Sequence, residues 1–504
     1  MKIILLILLS FSLSKSYSQN LFFDGNENSK FKNKIVAQVG SIKITAEEFI
    51  YSYEYGPAFT KRKENSKLMH LNYMINEKLL ALEGYNNSLL KKEETKALHR
   101  DIESDLAAEE MFRKDILPKV EINDAEINKI IEKKKSQYEL RWLFSENSEN
   151  LETFLKQFKN GISFDSLFNS QLSDSVLIDD RRLSSSLYSI YMKNPQFAQI
   201  VDTLKAGKIS APIHTDDGWY IIKIDNIIKS MITGEAEYNK LKTESIEAIT
   251  KSKMDVLSDQ YVKRLFEDEN PIIKRDVFNV LRTYLGKFIL TPELYSEWKL
   301  DDKLEIALTN LGLKRGAKYT GLTLVECKNH KISLDEYIIW FRNREQYVKF
   351  SKNDLTGFSK SLEDLVWLMV RDKLLSAKAS LAGYNKSEWV KKQSYWWKDK
   401  ISYSAYRNEL ANSIALNSEE QSLLKEKKKS QSEIMSDELS KKILHKILEL
   451  KKKYKIVINE VLLNKIKVST ENDKKAIEIF IAKRGNLIPR PAFPSIDNDW
   501  VNWE

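Results

Sequence analysis

The chain has 504 residues, 42% hydrophobic and 30% charged, with a formal net charge of +9 and one cysteine, Cys327. That length suggests several domains, and a lone cysteine excludes an intramolecular disulfide, so the fold must rest on its apolar core. With 72 Asp and Glu against 81 Lys and Arg, the surface is mixed and lacks the basic stripe of a nucleic-acid binder; the five histidines have no metal-ligand spacing.

In chain order, Met1 and Lys2 precede an unbroken aliphatic run from Ile3 to Leu9, and Ser16-Tyr17-Ser18 follows. This reads as a secretory leader over 1–18. Its apolar run is shorter than the ~20 residues that span a bilayer, and no second long apolar run follows, so no transmembrane segment is expected. Residues 35–40 read as a strand. Thr45 is placed as an N-cap, with Glu47 and Glu48 in the first helical turn. Helical periodicity continues to about residue 135, broken at Pro57, at Gly84 and at Pro118.

From 138 to 228 the texture becomes α+β. Residues 139–144 and 219–224 read as strands. An amphipathic helix over 151–160 ends at Gly161, a favourable C-cap residue. Further helices start at Phe164 and near Phe197. Helical texture returns from 235. At the end, over 486–504, Pro489, Pro491 and Pro494 are interspersed with Phe493, Ile496, Trp500 and Trp503. Such a tail cannot form a long helix and is too aromatic for an ordinary linker; it docks on the chain's own body or on a partner. There is no phosphate-binding glycine loop, dinucleotide fingerprint or serine nucleophile elbow, so no cofactor is expected.

An internal repeat organises the helical parts. Lys43-Ile44-Thr45-Ala46-Glu47-Glu48-Phe49-Ile50 matches Lys331-Ile332-Ser333-Leu334-Asp335-Glu336-Tyr337-Ile338. Lys78-Leu79-Leu80 matches Lys373-Leu374-Leu375, and both copies reach Gly-Tyr-Asn, at Gly84 and at Gly383. Segments 272–278 and 456–462 are also alike and read as the closing strand and helix of each copy. The expectation is a mainly α chain with an inserted α+β domain. The first helical module opens over 35–135 and closes over 235–284; the α+β unit at 138–228 interrupts it. The second, over 318–468, lacks the insert.

The α+β unit resembles a parvulin domain. Gly161, Phe164 and Leu167 fit its G-x-x-F-x-x-L junction. Ser170-Gln171-Leu172-Ser173-Asp174 fits S-Q-x-S-D. Leu204, Gly207, Ile209, Ser210 and Pro212 fit L-x-x-G-x-I-S-x-P, and Thr215, Gly218 and Ile221-Ile222 fit T-x-x-G-x-H-I-I. The flanking helices resemble the core of SurA-like periplasmic chaperones, clearest from Gly40 to Phe49. The resemblance implies a peptidyl-prolyl isomerase fold within a factor that holds unfolded exported or outer-membrane polypeptides. It also admits an outer-membrane insertion or secretion complex as a partner.

Carried over residue by residue, the two histidine positions of the parvulin centre fall on Arg141 and Tyr220. The Cys/Asp position falls on Ser175 and the hydroxyl on Thr215. Only Thr215 conforms. Arginine cannot accept a hydrogen bond, and tyrosine, with a pKa near ~10, is a poor stand-in for imidazole. The resemblance therefore implies weak or absent isomerisation. Leu183, Met192 and Phe197 fall at or near the proline-pocket positions; pocket and ordinary core remain open readings for them. Among the helices, Tyr51, Tyr53, Tyr55, Phe59, Trp340, Phe341, Trp367 and Tyr395-Trp396-Trp397 are candidates for client contact, with the core as the favoured alternative.

Overall fold

The structure is a computed structural model that describes residues 28–56, 61–62, 64–146, 148–173, 176–215, 218–230, 234–316, 319, 321–345, 348–415 and 430–469. Residues 1–18, read from the sequence as a leader, the segment 486–504, Phe59 and Ser175 lie outside the described residues.

The chain opens with strands β1 (Ile35–Val39) and β2 (Ile42–Thr45) and helices α1 (Ala46–Glu54), α2 (Ser66–Asn86) and α3 (Glu93–Asp115). Next come α4 (Asp124–Lys135), β3 (Ser136–Ser145), α5 (Ser148–Lys159), α6 (Phe164–Ser170), β4 (Arg182–Ser186), α7 (Leu187–Lys193), α8 (Pro195–Thr203), β5 (Ile213–Thr215) and β6 (Gly218–Lys229). The long α9 (Glu235–Glu269) leads to β7 (Ile272–Ile273), α10 (Arg275–Ile289), α11 (Pro292–Glu297) and α12 (Leu300–Asn310). The second copy follows as β8 (Thr323–Glu326), β9 (Lys331–Ser333), α13 (Leu334–Arg342), α14 (Leu355–Leu381), α15 (Glu388–Asn412), α16 (Gln431–Lys453), β10 (Ile456–Ile458) and α17 (Glu460–Lys465). The architecture is mainly α with an inserted α+β domain. No helix among the described residues is long and apolar enough to cross a membrane.

Two compact units result: Lys119–Met254, and the remainder formed by Met1–Pro118 with Asp255–Glu504. The inserted unit is wider than 138–228, because Ile127 and Ile131 of α4 bury themselves against Ile249 of α9. Its sheet is antiparallel in the order β4-β3-β6-β5. One face carries α5 and α6 through Leu151, Phe164, Leu167 and Phe168. The other carries α7 and α8 through Leu187, Ile190, Ala198 and Val201. Gly161 sits at φ +83° just beyond α5, where Ile162 N–H returns to the Gln157 carbonyl at 3.1 Å. It is a left-handed helix stop that a Cβ would disfavour.

In the helical unit the repeat starts as expected. Thr45 and Ser333 both cap their helices, accepting from Glu48 N–H and Glu336 N–H at 3.2 Å. The closing strands, however, are exchanged. β1 pairs with β10 of the second copy, Ala37 opposite Ile458 and Val39 opposite Ile456. β7, expected to close the first copy, pairs instead with β8, Ile273 opposite Val325. The helices follow: α2 packs on α15, and α14 packs on α3. One core joins the start of the first copy to the end of the second, through Val36, Phe49, Leu79, Ile443 and Leu450. The other joins α10 and α12 to the start of the second copy, through Leu281, Ala307, Trp340 and Val366.

The sequence reading that gave each copy its own closing strand is therefore corrected. Two short strands of similar composition each supply the same ladder bonds, so local sequence marks them as equivalent without choosing between partners. The helix packing decides, since each strand pairs where its preceding helix is seated.

The two Gly-Tyr-Asn landmarks serve different ends. Gly84 lies inside α2 against α15, where a Cβ would overlap the Ser402 carbonyl. Gly383 follows α14 at φ +81° with open space around it. Gly84→Ala is expected to cost about 1–3 kcal/mol by overpacking, and Gly383→Ala about 1–2 kcal/mol through left-handed backbone alone. Chemical denaturation of the two variants compares them.

Most of the aromatic candidates for client contact are core residues. Tyr51, Tyr53, Tyr55, Trp340, Phe341, Trp396 and Trp397 are buried, Trp367 is half-buried, and among the described candidates only Tyr395 is exposed.

Candidate functional site

Alternation along β3 assigns its side chains to the two faces of the inserted sheet. Tyr138, Leu140 and Trp142 point to the α7–α8 side, and Leu143 points to the α5–α6 side. Phe144 continues the first series and Arg141 the second. On β6, Tyr220, Ile222 and Ile224 lie with the first face.

Tyr220 stands directly across from Phe144 in the ladder. Their ring centroids are 5.1 Å apart at 59°, and Phe197 from α8 meets Tyr220 edge-on at 6.2 Å and 89°. Leu183 of β4, opposite Leu140, joins the same face. Trp142, Phe144, Leu183, Phe197 and Tyr220 are all half-buried, and the Arg181 guanidinium lies 5.0 Å over the Phe144 ring. The result is an apolar, aromatic-walled face with a cation at its margin. Such rings offer broad contact with little conformational entropy to lose, and edge-on pairs add about 0.5–1.5 kcal/mol beyond area burial.

Gly218 makes the arrangement possible. Its φ is +144°, and a Cβ there would stand 2.5 Å from the Ser145 carbonyl and 2.8 Å from the Phe144 ring. Gly218→Ala is therefore expected to push Phe144 off Tyr220. Loss of the ring-current shifts of those two residues would report it.

Arg141 is not part of this face. It donates through Nε to Asp225 Oδ2 at 2.6 Å and through NH2 to Asp225 Oδ1 and Asp165 Oδ1, each at 2.8 Å. Its guanidinium also stacks 4.9 Å from the Phe168 centroid. Lys223 sits directly opposite Arg141 in the ladder. Two like charges there would repel, and Asp165 bridges them by accepting from Lys223 Nζ at 2.7 Å. A bulge between Glu139 and Leu140 leaves Asp225 as the extra residue on β6 and brings it beside Arg141. Arg141, carried over as a histidine position of the parvulin centre, is thus turned by alternation to the other face, where two aspartates occupy it.

The Lys223 hydrogen bond, followed by that from Arg141, holds the Asp165 carboxyl below the usual carboxylate range. A depressed folded pKa stabilises the fold above the unfolded value, near ~3.9, and that contribution is lost as pH falls through the folded pKa. The inserted unit is thus expected to lose stability below about pH 4, and Asp165→Asn is expected to flatten that dependence. Thermal melts of both proteins between acid and neutral pH check it.

The structure therefore brings together Leu183, Phe197 and Tyr220 and separates Arg141 from them. Thr215 ends β5 opposite Gly218, and Met192 lies in α7; their side chains, like Ser175, lie outside what is described. Sequence reasoning missed Trp142 and Phe144 on the face, Arg181 at its margin, and Asp165 and Asp225 behind it. The available signal was the alternation of Leu140, Trp142 and Phe144 against Arg141 and Leu143.

Residues 122–237 match the family profile described as the PPIC-type PPIASE domain. The chain is 22% identical over 251 residues to a foldase protein PrsA from Oceanobacillus iheyensis, covering 47% of this chain and 82% of that one. Among solved structures, PrsA from Bacillus subtilis is similar at 17% identity, with 45% of this chain and 92% of that chain covered and a TM-score of 0.17. A peptidylprolyl isomerase (PrsA) from Bacillus anthracis gives 15%, 49%, 99% and 0.19. TM-scores this low carry no argument. The inserted unit is a parvulin-type domain, set within a mainly helical chain.

Proposed function

We propose that this chain is an exported folding factor that holds extended or unfolded polypeptides, with a parvulin-type domain that grips peptide and isomerises prolyl bonds weakly or not at all. The observation that carries the reading is the aromatic face of Phe144, Phe197 and Tyr220. One of these rings, Tyr220, stands where the family resemblance places a histidine, and Arg141, at the other histidine position, is tied to Asp165 and Asp225 on the far side.

Catalysis in such a site requires donors or acceptors aimed at the twisting amide. An apolar ring wall supplies grip without that electrostatic assistance. The foldase relative supports a role with unfolded chains. Export to the periplasm is supported by the leader pattern at 1–18. The clients would be precursors of secreted or outer-membrane proteins.

The test is light scattering from an unfolded outer-membrane protein diluted out of denaturant, with and without equimolar chain. The chain is expected to suppress most of the scattering. Phe197→Ala, confirmed folded by circular dichroism, is expected to suppress it several-fold less. Scattering unchanged by the wild-type chain would contradict the reading.

A further inference from the structure

The helical unit carries a recess of its own. Its volume is about 660 Å³, with Phe288, Ile338, Phe341 and Phe350 among its walls. That lies within the ~300–1,000 Å³ of ordinary ligand sites. Phe288 stands 73% exposed at its edge, held against Tyr284 at 5.1 Å. Phe350 backs the recess by packing on Phe341 and Phe358 at 6.0 and 5.4 Å. An exposed phenylalanine beside half-buried rings is surface prepared for a partner.

The charge around it is one-sided. Arg342, Lys349 and Lys352 line the recess, and Glu345 is the only acid among the described residues doing so. None of the three cations is engaged in an ion pair among the described residues. The fitting ligand is therefore an extended segment with aromatic side chains and several carboxylates.

The chain contains such a segment. From Pro491 to Glu504 there is no Lys or Arg, although the whole chain carries 81 of them. The same stretch holds Phe493, Ile496, Trp500 and Trp503 together with Asp497, Asp499 and Glu504. We infer that residues 491–504 dock in this recess of their own chain, with Trp500 or Trp503 against Phe288 and Phe350 and the carboxylates facing Arg342, Lys349 and Lys352.

Reach permits it. The described residues end at Ser469, whose backbone N–H is fixed on Glu54 Oε1 at 2.8 Å. From there to Phe493 the chain extends up to ~80 Å, while a compact body of a few hundred residues has a radius of gyration of only ~20 Å. Tethering also raises the local concentration of the tail toward the millimolar range, so even a weak contact is occupied within one chain. The inference does not depend on the function proposed above.

The experiment places the photo-crosslinking residue benzoylphenylalanine at position 500 of the full chain and maps the crosslinked peptides by mass spectrometry. The expected products are intramolecular, joining position 500 to 284–289 or 338–352, with yield independent of protein concentration. Phe288→Asp, at an exposed position that the core does not need, is expected to cut that yield at least fivefold. Arg342→Glu with Lys352→Glu is expected to do the same. Crosslinks elsewhere on the body, or a yield indifferent to both variants, would overturn the inference. So would crosslinks only between copies, which would assign the tail to a second molecule.

Discussion

Lys78→Met is expected to destabilise the helical unit by roughly 3–5 kcal/mol, the usual cost of removing one partner from a buried ion pair. Lys78 is almost fully buried, with 3% of its side chain exposed, and donates to Glu48 Oε1 at 2.6 Å and Asp399 Oδ2 at 2.7 Å. Burial alone would lower its pKa, but the two carboxylates overcome this and hold it above the usual lysine value. Tyr85 of the same helix donates to the other Asp399 oxygen at 2.5 Å. Removing the ammonium would leave Glu48 and Asp399 facing each other without it. Since Asp399 lies on α15 and Glu48 and Lys78 lie on α1 and α2, the loss would loosen the contact between the two copies.

The equivalent residue in the second copy gives the control. Lys373 meets Glu336 at 3.4 Å, with 39% and 42% of their side chains exposed. Lys373→Met is expected to change stability by less than ~1 kcal/mol, as for other exposed pairs. Urea denaturation of the two variants measures the difference; equal losses would contradict this account of the Lys78 cluster.

The second large effect concerns the exchanged closing strands. Leu450, fully buried on α16, belongs to the core that also contains Val36, Ile44 and Leu79. Leu450→Ala is expected to cost about 2–5 kcal/mol. Hydrogen exchange is expected to show where the loss falls. Protection should drop at 35–45, more than 400 residues earlier in the chain, and persist at 323–333. Leu281→Ala, at a fully buried site of the other core, is expected to reverse the pattern, exposing 323–333 and sparing 35–45. If each copy closed on itself, the two results would change places. The exchange also delays folding of the first core: β1 has no outer partner until residue 456 exists, and such long-range pairing is slow.

Much of this was legible in the chain. The capping residues Thr45 and Ser333, the helix stop at Gly161, and the α+β texture from 138 onward are local signals, and local physics fixes them. The repeat itself was visible in Lys43–Ile50 and Lys331–Ile338. Its pairing was not, because β7 and β10 are both two or three aliphatic residues after a long helix. Nor could the repeat show that Lys78 is buried and Lys373 half-exposed, since burial depends on what packs above them.

At the candidate site, the family pattern points to Leu183, Phe197 and Tyr220, and these share a face. The same pattern points to Arg141, which lies on the other face. A strand residue shifted by one position changes sides, and the bulge that seats Asp225 beside Arg141 breaks the ladder register locally. The apolar alternation of Leu140, Trp142 and Phe144 was the better guide.

The central proposal is that the parvulin-type domain grips peptide and isomerises its prolyl bond weakly or not at all. The most direct measurement is the cis–trans exchange rate of a proline-containing peptide by two-dimensional exchange NMR, with the full chain at saturating concentration and with Phe197→Ala in parallel. The account predicts binding that weakens about tenfold in the variant, equivalent to ~1.4 kcal/mol, and an exchange rate at or near that of the free peptide with either protein. A rate raised many-fold by the wild-type chain would contradict it and make this face a working isomerase centre.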